Sequence, residues 1–425
     1  MTDDVPALIG HLFRHQAGRL TSWLVRVLGP ARFDLAEDAV QFAMVQALRT
    51  WPFHGVPVRP DAWLAQVARN RALELVRSAR SSDARAMAAI EAQPPHVDPD
   101  AGALHGEVRD ESLALVFACC HPIVPHASRV ALTLNVVGGF GAAEIARALL
   151  AEPGAVAQRL VRAKRLLAER EVCFEVPGGV ELRERLDAVL EVVYLVFNEG
   201  YEASRGDAWI REDLVAEALR LVELVVADEA LATPKAHALA ALLYLLAARL
   251  PGRLGEEGTI LLLEEQDRAR WDRRAIARGM RHLERAARGD ELSTYHVQAS
   301  IAAEHAAAPS FEDTDWPRIV GLYDELALVD PSPVVALNRA VAIAMADGAA
   351  AGLTAVERIG ATGELRAYVP RLAVEGELLR RLGCYAEAAA RFARAASLPC
   401  SDPQRRFLEA RRDECTARAP DDRAD

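Results

Sequence analysis

The chain has 425 residues, 51 % of them hydrophobic and 6 % aromatic, and carries a formal net charge of −11 at pH 7. This length exceeds the usual size of one hydrophobic core, so two or three domains are expected. The Ala- and Leu-rich composition without alternating β-rich runs predicts an all-α protein. Without a recognisable signal peptide or membrane span, the chain is expected to be cytoplasmic and to contact no membrane.

The charge is unevenly distributed. Residues 1–175 contain 19 basic and 19 acidic side chains, so the remaining residues account for the whole net charge. An acidic region repels the phosphates of a nucleic acid. Any DNA-binding surface is therefore expected within the first 175 residues.

The first predicted helix covers residues 5–28 and carries His11 and His15 on one face. The second predicted helix starts near Asp34. Asp34 and Glu37 have the spacing of a capping box. The apolar stripe of the second helix consists of Val40, Ala43, Met44, Ala47, Leu48 and Trp51. Its other face presents Asp34, Glu37, Asp38 and Gln41, with Phe42 beside them. Such a face is either simply solvated or anchors a protein partner.

The next predicted helix starts at Pro60, and its inward stripe is Leu64, Val67, Ala68, Leu75 and Val76. A second stripe begins with Trp63 and continues with Gln66, Arg69, Asn70, Leu73 and Arg77. Cations, amides and an aromatic ring on one face suit unpaired nucleic acid, whose bases stack and whose phosphates need neutralising. The alternative is an ordinary amphipathic helix.

A flexible linker rich in Pro, Ser and Asp is predicted over residues 81–110. Beyond it, Cys119 and Cys120 stand beside His121, with His126 nearby. Adjacent cysteines lack the spacing of a structural zinc site, so no metal site is expected and these thiols are predicted to be buried.

Residues 141–169 predict a short helix, a tight turn and a second helix that begins at Pro153. The apolar positions are Ile145, Leu149, Val156, Leu160 and Leu167. The second helix carries Arg159, Arg162, Lys164 and Arg165, and its segment from Pro153 to Ala168 has no acidic residue. A helix-turn-helix places such a helix in the major groove of DNA. A helical hairpin with a solvated basic face is the alternative.

The segments DLAEDAVQ, PDAWLAQVARNRALELVR and EIARALLAEPGAVAQRLVRAKRLL resemble conserved regions 2 and 4 of bacterial sigma factors, in the order typical of the extracytoplasmic-function group. FACCHP, LVFNEGY and LLLEEQDRARWDR resemble a subgroup with a long helical C-terminal extension. The resemblance implies region 2 at 1–80, a linker at 81–110, region 4 at 111–175 and the extension at 176–425.

The resemblance also implies roles for individual residues. Polymerase docking on the β′ clamp helices is implied for Asp34, Glu37, Asp38, Gln41 and Phe42. Promoter contacts are implied for two groups: Trp63, Arg69, Asn70 and Arg77 at the minus-10 element, and Gln158, Arg159, Arg162 and Arg165 at the minus-35 element. Two departures stand out, since Phe42 replaces a usual glutamate and Ala157-Gln158 replaces a basic-then-serine pair.

The extension is predicted to be helical from Leu182 onward. Its charge cluster at 253–274 is interpreted as a solvated or intramolecular ion-pair surface. Residues 335–359 and 373–398 resemble each other, and Gly348 and Gly383 are 35 residues apart. That spacing is close to the tetratricopeptide period of about 34 residues, which predicts a binding surface for a protein ligand.

These patterns predict a sigma factor that directs core RNA polymerase to promoters, with a regulatory helical extension. The first alternative is a helix-turn-helix regulator with a helical sensor domain, and the second is a repeat-type scaffold. No nucleotide loop, metal cluster or nucleophile–His pair is recognisable in the sequence. The chain is therefore predicted to be neither an enzyme nor a cofactor-binding protein.

Overall fold

The computed structural model describes residues 17–29 apart from 19, 32–78, 113–149, 151–172, 174–203, 208–360 and 365–419. Most of these residues are helical, and the only β pairing among them is an isolated bridge between Leu254 and Ile260. The all-α prediction is confirmed. The chain forms two compact units, Met1–Val196 and Phe197–Asp425.

The first unit is built from short and medium-length helices. They are α1 (20–28), α2 (Phe33–His54), α3 (Pro60–Ser78), α4 (113–119), α5 (His126–Val136), α6 (Ala142–Ala148), α7 (Pro153–Glu169) and α8 (Gly179–Tyr201), which continues past the unit boundary. His11, His15 and the predicted linker at 81–110 lie outside the described residues.

Helix α2 buries most of its predicted stripe, because Val40, Ala43, Met44, Ala47 and Trp51 all face the core. Two expectations about it are wrong. Leu48 is half exposed, since it lies at the edge of a stripe that Ala36 and Ala39 extend on the other side. No capping box forms, because the helix begins one residue earlier than predicted, with Arg32 as a cap that makes no side-chain bond.

The two predicted helices of residues 141–169 are both present as α6 and α7, and Pro153 lies in the first turn of α7. Helix α4 packs its apolar residues inside the unit, and the buried Arg185 of α8 donates a hydrogen bond of 2.8 Å to the carbonyl oxygen of Phe117. Cys119 and Cys120 follow in the same buried segment as free thiols, as predicted.

The second unit continues with α9 (Glu212–Ala227), α10 (Pro234–Ala247), α11 (Leu250–Arg253), α12 (Arg273–Ala286), α13 (Thr294–Ala307), α14 (Trp316–Val329), α15 (Pro333–Asp347), α16 (Ala349–Gly360), α17 (Val369–Arg381), α18 (Tyr385–Ala396) and α19 (Asp402–Arg418). Helix α10 is buried around nearly its whole circumference, as a helix that is apolar on all sides should be. Gly279 lets α12 approach it closely, because a Cβ there would lie 2.7 Å from Cγ of Leu245.

The predicted repeats correspond to two helix pairs, α15–α16 and α17–α18. Gly348 and Gly383 lie in the turns and adopt φ angles of +98° and +80°, which residues with side chains rarely adopt. Within the second pair, Gly376 packs directly against the ring of the buried Phe392. The pairing of a small residue with a large one holds α17 and α18 together.

The charged segment 253–274 forms intramolecular ion pairs, as one of the two interpretations proposed. Glu264 contacts Arg381 of α17 at 2.7 Å, and Glu265 contacts Arg411 of α19 at 2.5 Å. A third cation, Arg268, is buried and donates to the carbonyl oxygens of His305 and Ala308 at the end of α13. Ion pairs and hydrogen bonds therefore hold this segment against α13, α17 and α19.

Candidate polymerase and promoter interface

The acidic face of α2 is largely solvent-exposed. Asp34, Asp38 and Gln41 are exposed on the side of the helix that faces away from its buried stripe. They follow one another at helical spacings of four and three residues, so they line up along one surface. Three of the five residues predicted to contact polymerase are thus brought together and accessible.

Glu37 differs from its neighbours on α2. Its side chain is only 20 % exposed, and its Oε2 lies 2.5 Å from Nζ of Lys164 in α7. Burial raises the pKa of Glu37 above its ordinary value, and the nearby Lys164 ammonium opposes that shift. Glu37 is therefore partly withdrawn from the exposed acidic surface.

Lys164 does not belong to a solvated basic face, which was the alternative interpretation of this helix. Its side chain is only 10 % exposed and its ammonium lies 5.1 Å from the ring centre of Phe33. It occupies the inward stripe of α7, four residues after Leu160 and three before Leu167. The helical position of this lysine, rather than its charge, decides where it points.

Phe42 is half-buried, and the guanidinium of Arg71 lies 4.8 Å from its ring centre. Arg71 also pairs with Glu74 at 3.0 Å, so a small charged cluster covers this aromatic ring. A partner that used Phe42 as an anchor would share the ring with Arg71.

Helix α3 presents its predicted stripe only in part. Asn70 is exposed and accepts a hydrogen bond of 2.9 Å from Gln66, which leaves the amide NH₂ of Asn70 available. Trp63 is half-buried and packs edge-on against Trp51, with ring centres 5.4 Å apart. The sequence pattern assigns Leu73 to this stripe, but its side chain is buried, three residues and so about one turn before the buried Val76.

The two remaining predicted cations of α3 lie at different depths. Arg77 is exposed near the end of the helix, and Arg69 is half-buried in its middle. Together with Asn70 they mark one side of α3 with donors.

The exposed surface of α7 carries Gln158 and Arg162. The guanidinium of Arg162 folds back over the helix, with its Nη2 3.5 Å from Oε1 of Gln158. Arg165 is also exposed but pairs with Glu169 at 2.6 Å, and Arg159 donates to the carbonyl oxygen of Ala127 in α5. Of the four predicted α7 contacts, Arg159 is thus bonded to another helix, whereas Gln158, Arg162 and Arg165 are bonded within α7.

Comparison with known proteins relates the chain to a family. The chain is 39 % identical over 388 residues to the uncharacterized protein R00370 of Rhizobium meliloti (strain 1021), which covers 90 % of each chain. The two proteins therefore belong to one family across both compact units. Residues 12–82, which include all of α2 and α3, match sigma-70 region 2. The chain is a sigma-70 family protein.

A second match covers another part of this sigma-70 family protein. Residues 185–287, from α8 to the end of α12, match a family of unknown function, DUF6596. No solved structure matches the chain. Among the described residues, no helix is both long and apolar enough to cross a membrane.

Every residue predicted to contact polymerase or the minus-10 element lies within the region 2 match. The predicted minus-35 residues of α7 lie outside both matches. What sequence reasoning missed in the sigma-70 family protein is the pair between Glu37 and Lys164, which joins the region 2 match to α7. The position of Lys164 within the inward stripe of α7 is the signal that could have revealed its burial.

Proposed function

We propose that this sigma-70 family protein is a sigma factor of the extracytoplasmic-function type that recruits core RNA polymerase and opens promoter DNA. One observation carries the proposal: the region 2 match coincides with a helix pair that exposes acids on α2 and donors on α3. Asp34, Asp38 and Gln41 would dock on the β′ clamp helices. A surface of this kind needs no catalytic residue of its own.

The proposed role of α3 is to capture bases as the promoter opens. Separating stacked base pairs costs on average about 1.4 kcal/mol per step, which a protein without an ATP-driven motor must offset by binding the extruded bases. The exposed amide of Asn70 is suited to a base edge. Trp63, which Trp51 supports from one side, offers its remaining surface for stacking.

The proposed role of α7 is to read the minus-35 element. Gln158 is suited to adenine, and Arg162 is suited to guanine or to phosphate. Both side chains are exposed on one turn of α7. We assign α6 and α7 to a helix-turn-helix on this basis, with Arg159 and Arg165 as flanking phosphate contacts.

The extension is proposed to act as a docking surface for polymerase or another protein. Two consecutive helix pairs with tetratricopeptide-like spacing support that role, since helical repeats commonly present binding surfaces. Its net negative charge opposes a direct contribution to DNA affinity.

The test is binding of the full chain to purified core polymerase, followed by reconstituted transcription. Asp38→Arg should weaken core binding, because it reverses a charge at the centre of the exposed acidic face. Glu184→Arg is the matched control, since Glu184 is an exposed acid of α8 in the same compact unit but outside the proposed face. Equal affinity for the Asp38 variant and the parent would remove α2 from the interface. No core binding by the parent chain would favour the helix-turn-helix regulator or the scaffold.

A further inference from the structure

A cleft between α9 and α12 in the second unit is lined by three arginines among its seven residues. Its volume is about 320 Å³, and its polar lining residues are Glu223 of α9 with Arg278, Arg281, His282 and Arg285 of α12. We call it the arginine cleft. Volumes of about 300–1,000 Å³ are typical of sites for small molecules.

The one carboxylate of the arginine cleft is already neutralised from within the protein. Glu223 pairs with Arg278 at 2.7 Å, and Nε2 of His282 lies 3.5 Å from its other oxygen. Burial alone would raise the pKa of Glu223, but the neighbouring His282, Tyr244 and Arg278 outweigh it and hold that pKa at about 2. Glu223 therefore stays ionised, and its Oε2 pairs with Arg278, so it balances one arginine only.

The other two arginines of the cleft have no such counterion. Within the part of the chain that the structure describes, the guanidiniums of Arg281 and Arg285 have neither a carboxylate nor a hydrogen-bond partner. Both are exposed, and they lie four residues apart, on one side of α12. The cleft thus holds two unbalanced positive charges in a region whose overall charge is negative.

A rigid support lies behind these arginines. His282 is 6 % exposed, and its Nδ1 lies 3.0 Å from Nδ1 of His237 in α10. The pKa of His237 is lowered to about 4, first by burial and then by electrostatic interaction with His282, Arg285 and Arg288. His237 is therefore neutral at pH 7, and its contact with His282 fixes the floor of the cleft without adding charge.

We propose that the arginine cleft binds a phosphate-bearing small molecule, whose phosphate oxygens accept hydrogen bonds from Arg281 and Arg285. The planar guanidinium donates paired hydrogen bonds to phosphate oxygens, which an ammonium cannot do. A small ligand fits better than a nucleic acid backbone, because the acidic surroundings of the second unit repel an extended polyanion. The cleft lies wholly within residues 185–287, so the proposal assigns a binding role to the DUF6596 segment.

This site is independent of the proposed sigma function, because none of its residues lies in α2, α3 or α7. Binding of a phosphate-bearing molecule in the arginine cleft would make the extension responsive to the concentration of that molecule. Failure of the phosphate site would therefore leave the polymerase experiment untouched, and the converse also holds.

The test is isothermal titration calorimetry of the full chain with pyrophosphate at low ionic strength and without divalent cations. The expected result is saturable binding at one site per chain. Arg281→Gln and Arg285→Gln should each weaken it by about tenfold or more, since each removes a charge-assisted hydrogen bond to phosphate. Arg274→Gln is the matched control, because Arg274 is an exposed arginine of the same helix outside the cleft.

Three outcomes would overturn the proposal. The first is an absence of saturable pyrophosphate binding to the parent chain. The second is an equal loss of affinity in the Arg274 control, which would mean that the positive charge of α12 as a whole, and not the cleft, attracts pyrophosphate. The third is displacement of pyrophosphate by a short DNA duplex at lower concentration, with the same dependence on Arg281 and Arg285, which would make the surface a nucleic-acid contact. Circular dichroism of each variant confirms that the helices are retained.

Discussion

The pair between Glu37 and Lys164 offers a direct test of the contact between α2 and α7. Lys164→Ala removes the ammonium and leaves Glu37 in a partly buried position without its counterion. Glu37→Gln removes the charge but keeps the size of the side chain. The double variant then measures how far the two losses are coupled.

The expected magnitude follows from the exposure of the two side chains. Breaking a fully buried pair costs about 3–5 kcal/mol, and an exposed pair contributes roughly 0–1 kcal/mol. With exposures of 10 % for Lys164 and 20 % for Glu37, an intermediate loss of about 1–3 kcal/mol is expected for Lys164→Ala. The neighbouring Arg165 pairs with Glu169 at a similar distance, but its side chain is 75 % exposed. Arg165→Ala is therefore the matched control, with a loss of at most about 0.5 kcal/mol.

The pH dependence of this pair has a definite sign. Burial raises the pKa of Glu37 above its ordinary value of 4.5, so the folded state binds this proton more readily than the unfolded state. Protonation of Glu37 therefore stabilises the fold below pH 4.5, and this contribution is lost as the pH rises through the folded-state pKa. Because Lys164 lowers the pKa of Glu37, the Lys164→Ala variant should raise it further.

Hydrogen exchange of the α2 amides measures the opening of this helix without assuming that two compact units unfold together. Lys164→Ala should accelerate exchange by roughly a factor of ten for each 1.4 kcal/mol lost. In the Glu37→Gln background the same change should cost less, because its charged partner is gone. Two results would refute the reasoning. One is a loss in the double variant that equals the sum of the losses in the two single variants. The other is an effect of Arg165→Ala as large as that of Lys164→Ala.

Three further predictions concern the promoter-reading helices and the repeats. Asn70→Ala should permit closed-complex formation but impair melting, and permanganate footprinting at the minus-10 element should show reduced thymine reactivity. Arg162→Ala should reduce the slope of DNA affinity against salt by roughly one in a titration if it contacts phosphate, or relax discrimination at one base by about 1–3 kcal/mol. Gly376→Ala should destabilise the α17–α18 pair by about 1–3 kcal/mol in chemical denaturation, because its Cβ would lie 2.9 Å from the buried ring of Phe392. Gly321→Ala in α14 is its control, since no atom beyond the local backbone of its own helix lies within 4 Å of the added Cβ and stability should be kept or gained.

Helical periodicity was sufficient to predict the fold class and much of the core. The stripes of α2 and α7 are buried at Val40, Met44, Val156 and Leu160, because an amphipathic helix has one face that must leave water. The same rule fails at Leu48, where the stripe meets its edge. A periodic pattern defines the centre of a buried face better than its limits.

The candidate interfaces were only partly predictable because partners from distant segments decide them. Glu37 and Lys164 are 127 residues apart in sequence, and neither shows in its own helix that the other is its counterion. The arginine cleft is a stronger case, since Glu223 and Arg285 become neighbours only when α9 and α12 pack together. Local spacing predicts which side chains share a helix face, whereas tertiary packing determines which faces meet.

The distribution of thiols has a practical consequence for labelling. Of the five cysteines within the described part of the chain, Cys119, Cys120, Cys400 and Cys415 are buried, and only Cys384 at the start of α18 is exposed. Burial raises the pKa of the Cys120 thiol to about 12, which suppresses the thiolate that maleimides and iodoacetamides attack. Alkylation of the native protein should therefore favour Cys384 over these four. A fluorophore attached there, next to the turn at Gly383, would report on ligands of the repeat pair without any engineered residue.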